Sequence, residues 1–178
     1  MKIRFLLVFL IMFALKNTLM ANENTNLYDF SFEDIDGNVI NLNKFEGKPI
    51  LVVNTASRCG FTPQYANLQN LFLDYKDSDL TIIATTSNSF AQEYQNTDDI
   101  KKICLVNYGV GFVASSPMSV KGENAHPIYT WIKNEYNESP KWNFFKFLFN
   151  RNGHLVDSWS SMVKPDSQKI IKEIDRLI

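Results

Sequence analysis

Two short apolar runs in the first half of the chain have the pattern of buried β-strands. They are residues 49–54 (Pro-Ile-Leu-Val-Val-Asn) and 80–84 (Leu-Thr-Ile-Ile-Ala), and apolar runs of this length without alternation are typical of strands covered on both faces. Apolar residues recur between them at the spacing of one helix face: Leu68, Leu71, Phe72 and Tyr75. Thr62 is a suitable cap for this helix and Pro63 a suitable first residue. The segment 52–84 therefore predicts a right-handed, parallel strand–helix–strand unit.

Two antiparallel pairs and three further helices complete the pattern. In each pair a dipeptide ending in Gly separates two apolar runs: Asp36-Gly37 lies between 28–32 and 39–42, and Asn152-Gly153 between 144–150 and 155–160. The predicted helices are residues 98–108, residues 127–134, and a closing amphipathic helix with Ile170, Ile171, Ile174 and Leu177. This order predicts an α/β, thioredoxin-like fold, in which helices flank a central mixed sheet and a β-hairpin lies at the N-terminus.

The first 21 residues are expected to be a secretory signal peptide. A basic stretch at residues 1–4 precedes an apolar run at residues 5–15, and a polar turn then leads to a small residue, Ala21. The alternative is an uncleaved membrane anchor, but spanning a bilayer takes about twenty apolar residues. We therefore expect residues 22–178 to be the mature domain, periplasmic or secreted, without stable membrane insertion after cleavage.

Length, composition and charge indicate how many domains the chain forms and which class of partner it lacks. The chain has 178 residues, of which 45% are hydrophobic and 21% charged, with 18 basic and 19 acidic residues. This length and composition indicate a single globular domain. The balanced charge, without a basic patch interleaved with aromatic residues, argues against a nucleic-acid partner.

Cys59 lies where a reactive thiol is expected, because it follows the first buried strand and precedes the helix that starts near Pro63. At a helix N-terminus the dipole and the free backbone N–H groups favour the nucleophilic thiolate, and Arg58 adds a positive charge. Ligands of α/β sheets also bind at the carboxyl ends of the strands. Position alone leaves a reactive thiol and a structural cysteine equally open.

Cys104 is the second cysteine, 45 residues further along the chain and late in the predicted helix 98–108. That end of a helix does not favour a thiolate. An exported protein with two cysteines first suggests a structural disulfide, while a free cysteine is commonly a small buried apolar residue. The functional alternative is a thiol that condenses with an oxidised Cys59.

The chain lacks the residues that a cysteine protease or a metal site would need. A cysteine protease needs a histidine to activate its thiol, and His126 and His154 lie at a predicted helix start and in a predicted hairpin. Two cysteines and two histidines at scattered spacings do not make a metal-ligand cluster. We therefore expect neither a metal nor another cofactor.

A series of short motifs extends over nearly the whole predicted mature chain. The longest, residues 53–65, reads Val-Asn-Thr-Ala-Ser-Arg-Cys-Gly-Phe-Thr-Pro-Gln-Tyr. The others follow in order: Asn88-Ser-Phe90 with Gln92-Glu93, then residues 121–127, 141–144 and 151–153, and Lys164-Pro165. In sequence, order and spacing this set resembles the glutathione peroxidase family.

The resemblance implies a thioredoxin-like thiol peroxidase with Cys59, rather than a selenocysteine, at the peroxidatic position. Gln92, Trp142 and Asn143 fall on the supporting residues of the family's catalytic tetrad. Their side chains are neutral hydrogen-bond donors, and when aimed at the sulfur they hold the thiolate and stabilise the departing oxygen. The segment before Gln92 is one residue shorter than the family pattern, with Ser87 in place of a cysteine.

Cys104 and the following residues 105–110 resemble the resolving-cysteine segment of the family's two-cysteine branch, which is usually reduced by thioredoxin-like proteins. The implied cycle reduces hydrogen peroxide and organic or lipid hydroperoxides at Cys59, through a sulfenic acid that Cys104 resolves as an intramolecular disulfide. A thioredoxin-like protein or glutathione then reduces the disulfide. We expect the helix around Cys104 to be mobile in the oxidised form. Tetrameric members of the family have a longer loop before the position of Lys141, and its lack in this chain implies a monomer.

Two other functions stay open at the level of sequence. One is a thiol oxidase or redox relay that passes the disulfide to client proteins. The other is a non-enzymatic thioredoxin-fold binding protein with a permanent Cys59–Cys104 disulfide. If the protein is a peroxidase, an exposed aromatic side chain near the site would favour lipid hydroperoxides as substrates.

Overall fold

The structure is a computed structural model, and it describes residues 25–178. The predicted signal peptide, residues 1–21, and the start of the predicted mature domain at residue 22 lie outside the described residues. None of the helices between residues 25 and 178 is long and apolar enough to cross a membrane.

The described part of the chain forms seven strands and four α-helices. The strands are β1 Ser31–Glu33, β2 Val39–Asn41, β3 Ile50–Thr55, β4 Thr81–Thr86, β5 Val113–Ala114, β6 Lys146–Phe149 and β7 Leu155–Trp159. The helices are α1 Gln64–Asp74, α2 Thr97–Lys101, α3 Pro127–Tyr136 and α4 Gln168–Asp175. Short 3-10 turns at Leu27–Asp29 and Leu42–Phe45 flank the N-terminal hairpin.

The sheet topology confirms the predicted thioredoxin-like fold. Strands β1 and β2 form a separate antiparallel hairpin, and the other five form a mixed sheet in the order β5-β4-β3-β6-β7. Strand β3 runs parallel to β4 and antiparallel to β6. The strand–helix–strand unit and both predicted hairpins are therefore present.

Strand β5 is the one strand of the described chain that the sequence pattern does not predict, because two residues carry no periodicity. It pairs with β4 at the edge of the sheet, where Ile83 lies opposite Val113. The N-terminal hairpin holds its other side, since the Ile35 N–H donates to the Ala114 carbonyl at 2.9 Å. This short strand is therefore anchored on two sides.

Both faces of β3 are covered, as its unbroken apolar run predicts, and all six of its residues are buried. Leu51 and Val53 belong to a core shared with α1, α2 and α4. Ile50 and Val52 belong to a second core shared with α3 and the N-terminal hairpin. The central strand is fixed from both sides, so the loop at its carboxyl end starts from a rigid base.

The helix after β3 begins differently from the prediction. Helix α1 starts at Gln64, after Pro63, without a side-chain cap. The predicted Thr62 cap is wrong, because the Thr62 hydroxyl instead accepts the backbone N–H of Cys59 at 3.0 Å. Thr62 therefore stabilises the loop before the helix.

The predicted helix 98–108 is not α-helical throughout. It begins at Thr97, with the Asn96 side chain accepting the Asp98 N–H at 2.9 Å, and α2 ends at Lys101. The segment Lys102–Asn107 continues it as a π-helix, a wider turn with a longer hydrogen-bond span that occurs frequently at functional sites.

Candidate active site

Cys59 lies in the loop between the carboxyl end of β3 and the start of α1, and only 7% of it is exposed. The backbone N–H of Phe61 donates to the Cys59 Sγ at 3.4 Å. Thr62 Oγ1 accepts the Cys59 N–H and donates to the Ala56 carbonyl at 2.9 Å. The loop is thus folded back on itself and holds the sulfur on the N-terminal side of the helix.

The loop that follows β4 is held against the Cys59 loop by two hydrogen bonds. The Arg58 N–H donates to the Gln92 carbonyl at 2.9 Å, and the Ser57 N–H donates to the Glu93 carboxylate at 3.0 Å. Glu93 is buried, and this burial raises the pKa of its carboxyl above the ordinary value. Gln92 is therefore fixed to the residue that precedes the cysteine.

The segment before Gln92 ends in a tight turn. Ala91 has a φ of 58°, in the left-handed region, and its N–H donates to the Asn88 carbonyl at 2.9 Å. Ser87, in the same segment, is buried. After this turn Gln92 Oε1 accepts the Asn143 Nδ2 at 3.0 Å, so the two predicted amide side chains meet.

Asn54, the fifth residue of β3, holds the segment that carries Trp142 and Asn143. Its Nδ2 donates to the Trp142 carbonyl at 3.1 Å, and its Oδ1 accepts the Phe145 N–H at 3.0 Å. Phe144 lies between these contacts with a φ of 63°, so the chain turns sharply before β6. The sequence patterns assigned no role to Asn54, although an amide near the end of an apolar strand indicates a buried hydrogen-bonding role.

Asn143 and Trp142 lie next to each other but differ in exposure. Asn143 is fully buried, and the Ser161 hydroxyl donates to its carbonyl at 2.6 Å. Trp142 is 42% exposed, and its ring lies 5.2 Å from that of Phe90, centroid to centroid. The Lys121 Nζ lies 4.2 Å from the Phe90 ring centroid. An exposed tryptophan and a half-buried phenylalanine, with a cation over the latter, therefore border the two amide side chains.

The structure joins four of the five predicted site residues through the backbone and side chains of three loops: Cys59, Gln92, Trp142 and Asn143. It does not show the expected hydrogen bonds from the three supporting side chains to the sulfur. Within residues 25–178 the sulfur accepts from the Phe61 N–H, and the Asn143 amide donates to Gln92. The Gln92 amide N–H groups and the Trp142 indole N–H have no acceptor in this part of the chain.

Cys104, the fifth predicted site residue, lies in the π-helical segment. Its side chain is fully buried, and burial raises the pKa of its thiol to about 11. Both cysteines are free thiols and belong to the same apolar core. At neutral pH the Cys104 sulfur is therefore protonated and shielded from solvent.

The two histidines are placed as the sequence suggests. His126 caps α3 by accepting the Ile128 N–H on Nδ1 at 3.4 Å, and burial lowers the pKa of its imidazole. His154 is exposed in the β6–β7 hairpin. In the described range of the chain no group of three His, Cys, Asp or Glu side chains is arranged to hold a metal ion.

Comparison with known proteins decides the family. A family model described as glutathione peroxidase matches residues 27–133. The chain belongs to the glutathione peroxidase family. The peroxidase is 41% identical over 147 residues to the glutathione peroxidase-like peroxiredoxin gpx1 of Schizosaccharomyces pombe, covering 80% of this chain and 93% of that protein. It is 38% identical over 169 residues to the hydroperoxy fatty acid reductase gpx1 of Synechocystis sp., covering 89% and 99%.

A solved structure of the same family gives the same architecture. The crystal structure of Trgpx in apo form matches the peroxidase with a TM-score of 0.68 at 32% identity, covering 86% of this chain and 95% of that chain. The peroxidase therefore has the thioredoxin-like fold that its pattern and its motifs predict.

Replacing Asn54 by alanine is expected to lower the free energy of unfolding of the peroxidase by about 2–4 kcal/mol, because the Trp142 carbonyl and the Phe145 N–H lose their buried partners. Urea unfolding measures the change. Asn38→Ala, which removes an exposed turn contact to Asp34, is the matched control, with an expected loss below about 1 kcal/mol. Equal losses in the two variants would contradict the role assigned to Asn54.

Proposed function

We propose that this peroxidase reduces hydroperoxides by direct attack of the Cys59 thiolate on the O–O bond. The observation that carries the proposal is the joining of the loops of Cys59, Gln92 and Trp142–Asn143 at the carboxyl end of β3. The Cys59 Sγ accepts the Phe61 N–H at 3.4 Å and lies on the N-terminal side of α1.

The chemical step balances without a cofactor. The sulfur attacks the outer oxygen, an S–O bond forms as the O–O bond breaks, and the leaving oxygen takes up a proton to become water or an alcohol. The sulfur is oxidised by two electrons to a sulfenic acid, and the peroxide is reduced by the same two. The unpaired N–H groups of Gln92 and Trp142 are the donors that would stabilise the charge on the leaving oxygen.

In the second step the Cys104 thiol condenses with the sulfenic acid of Cys59. A disulfide forms, water leaves, and the wider π-helical turn around Cys104 is the segment that opens to bring the two sulfurs together. Both cysteines are free thiols in the structure, which is the state from which this cycle starts. On this basis we propose that the peroxidase belongs to the two-cysteine branch.

The reductant we propose first is a thioredoxin-like protein, with glutathione as the alternative. Exchange with an external dithiol returns both cysteines to thiols and leaves the dithiol as a disulfide. Leu105 and Val106 follow Cys104 directly and are exposed, Val106 by 75%. Such an apolar surface beside the resolving thiol suits a protein partner better than a small polar peptide.

The substrates we propose are organic and lipid hydroperoxides as well as hydrogen peroxide. Trp142, which is 42% exposed, and the half-buried Phe90 offer an acyl chain an aromatic surface beside the cysteine loop. The Lys121 ammonium, which lies over the Phe90 ring, is a cation that can pair with the carboxylate of a fatty acid hydroperoxide. The relative from Synechocystis sp. is itself named a hydroperoxy fatty acid reductase.

Substrate preference tests this part of the proposal. With pre-reduced protein in stopped flow, Phe90→Ala is expected to slow the reaction with linoleic acid hydroperoxide by about tenfold, since an apolar contact of this size is worth 1–2 kcal/mol, and to leave the hydrogen peroxide rate unchanged. Val39→Ala, an exposed apolar residue on the N-terminal hairpin, is the matched control. Equal loss with both peroxides in Phe90→Ala would refute the acyl-chain role.

We also propose that the protein acts after export and as a monomer. The basic, apolar and small-residue pattern of residues 1–21 supports cleavage of a signal peptide, which gives a mature domain of residues 22–178 in the periplasm or outside the cell. The loop before Lys141 is shorter than the loop linked to tetramers elsewhere in the family, and this supports a monomer.

A further inference from the structure

A lysine amine is buried in the sheet close to the site. Lys146, the first residue of β6, is fully buried. Its Nζ donates to Gln64 Oε1 at 2.6 Å and to the Val163 carbonyl at 2.6 Å. No ion pair in the described range of the chain involves this amine. A buried amine without an acidic partner is destabilising, so its presence needs a reason.

The contacts of Lys146 suit a neutral amine. A neutral amine has two N–H groups, and the two acceptors satisfy both, whereas a third N–H on an ammonium would have no partner among residues 25–178. Burial lowers the pKa of Lys146 to about 7. The Lys146 side chain therefore serves as a long donor of two hydrogen bonds.

Gln64 connects this amine to both halves of the site. It is the first residue of α1, directly after the loop in which Thr62 accepts the Cys59 N–H. Its Nε2 donates to the Ser161 carbonyl at 2.6 Å, and the Ser161 hydroxyl donates to the Asn143 carbonyl at 2.6 Å. A continuous series of hydrogen-bonded residues therefore runs from Lys146 to the helix start behind the cysteine and to Asn143.

We infer that Lys146 is a positioning residue of the peroxidase, which acts through Gln64 and Ser161 to fix the start of α1 and the Asn143 carbonyl relative to each other. The long, unbranched side chain reaches two carbonyl oxygens from a β-strand, and an apolar residue of the same length would leave both oxygens buried without a donor. The inference rests on the proposed function in taking Cys59 as the reacting group.

Two substitutions test the inference from opposite ends of one contact. Lys146→Met keeps the length and removes the donors, and Gln64→Leu removes the acceptor and the link to Ser161. In folded protein each is expected to slow both the single-turnover oxidation of Cys59 by hydrogen peroxide and its alkylation by iodoacetamide, by about tenfold or more, because small misplacements of a reacting group are costly. The double variant is expected to be no slower than the single ones, since both act through the same contact.

A matched control separates positioning from a general loss of stability. Tyr129→Phe removes another buried hydrogen bond, to the Thr85 hydroxyl in the second core, and is expected to lower stability while leaving both rates unchanged. Unchanged rates in folded Lys146→Met, or additive losses in the double variant, would overturn the inference. If the native protein fails to react with peroxide, the proposed function falls, while the alkylation rates still test Lys146.

Discussion

Cys59→Ser is expected to reduce hydroperoxide consumption to the uncatalysed rate. A serine hydroxyl is not ionised at neutral pH, and its oxygen cannot accept the two-electron oxidation that a thiolate undergoes. The fold should persist, because the backbone contacts that shape the loop, from the Cys59 N–H and the Phe61 N–H, are open to a serine as well. Consumption of hydrogen peroxide with a thioredoxin-like reductant in excess measures the effect.

Mass spectrometry gives this first prediction its control. After one equivalent of peroxide, the Cys104→Ser variant is expected to gain one oxygen atom on Cys59, while Cys59→Ser is expected to stay unmodified. Peroxide consumption that persists in folded Cys59→Ser would show that another group carries the reaction, and the proposed mechanism would be wrong.

Cys104→Ser is expected to react once with peroxide and then to stop when a thioredoxin-like protein is the reductant. The first step needs only Cys59, but the disulfide that such a reductant recognises cannot form. Trapping of the sulfenic acid by dimedone should therefore increase in this variant, and steady-state turnover should be lost. A coupled assay with thioredoxin and its reductase measures turnover, and equal turnover in variant and native protein would refute the resolving role.

The same variant separates the competing functions. A redox relay predicts that Cys104→Ser traps client proteins as mixed disulfides with Cys59. Restoration of full turnover by glutathione alone would identify glutathione as the direct reductant. A permanent structural disulfide predicts that the native protein holds an irreducible bond and consumes no peroxide.

Local pattern was sufficient for most of the fold. The unbroken apolar run of β3 and the helical spacing in α1 depend on burial and periodicity, both of which are visible in a single sequence. Strand β5 was missed because its two residues have no period of their own. The π-helical turn after Lys101 was also missed, since it has the same apolar spacing as an α-helix over so few residues.

The site was predicted in part from position and in part from resemblance. Cys59 could be singled out by its place between a buried strand and a helix, whereas Trp142 and Asn143 came from the family motifs. Lys146 could not be found in this way, because its partner Gln64 is 82 positions away. In an apolar strand a lysine would ordinarily be placed on the solvent side, and only the tertiary fold shows that its amine is inside.

The double anchoring of β5 has a consequence for the choice of reductant. In the proposed cycle residues 97–112 open as an arm that stays tethered at both ends, because contacts hold the Gln92 loop on one side and β5 on the other. Under that proposal Cys104 meets the oxidised sulfur at an effective concentration on the order of millimolar, as is usual for short tethers. A dissolved thiol must reach a comparable concentration to react first, so the abundance of small thiols around the protein decides which of the two cycles runs.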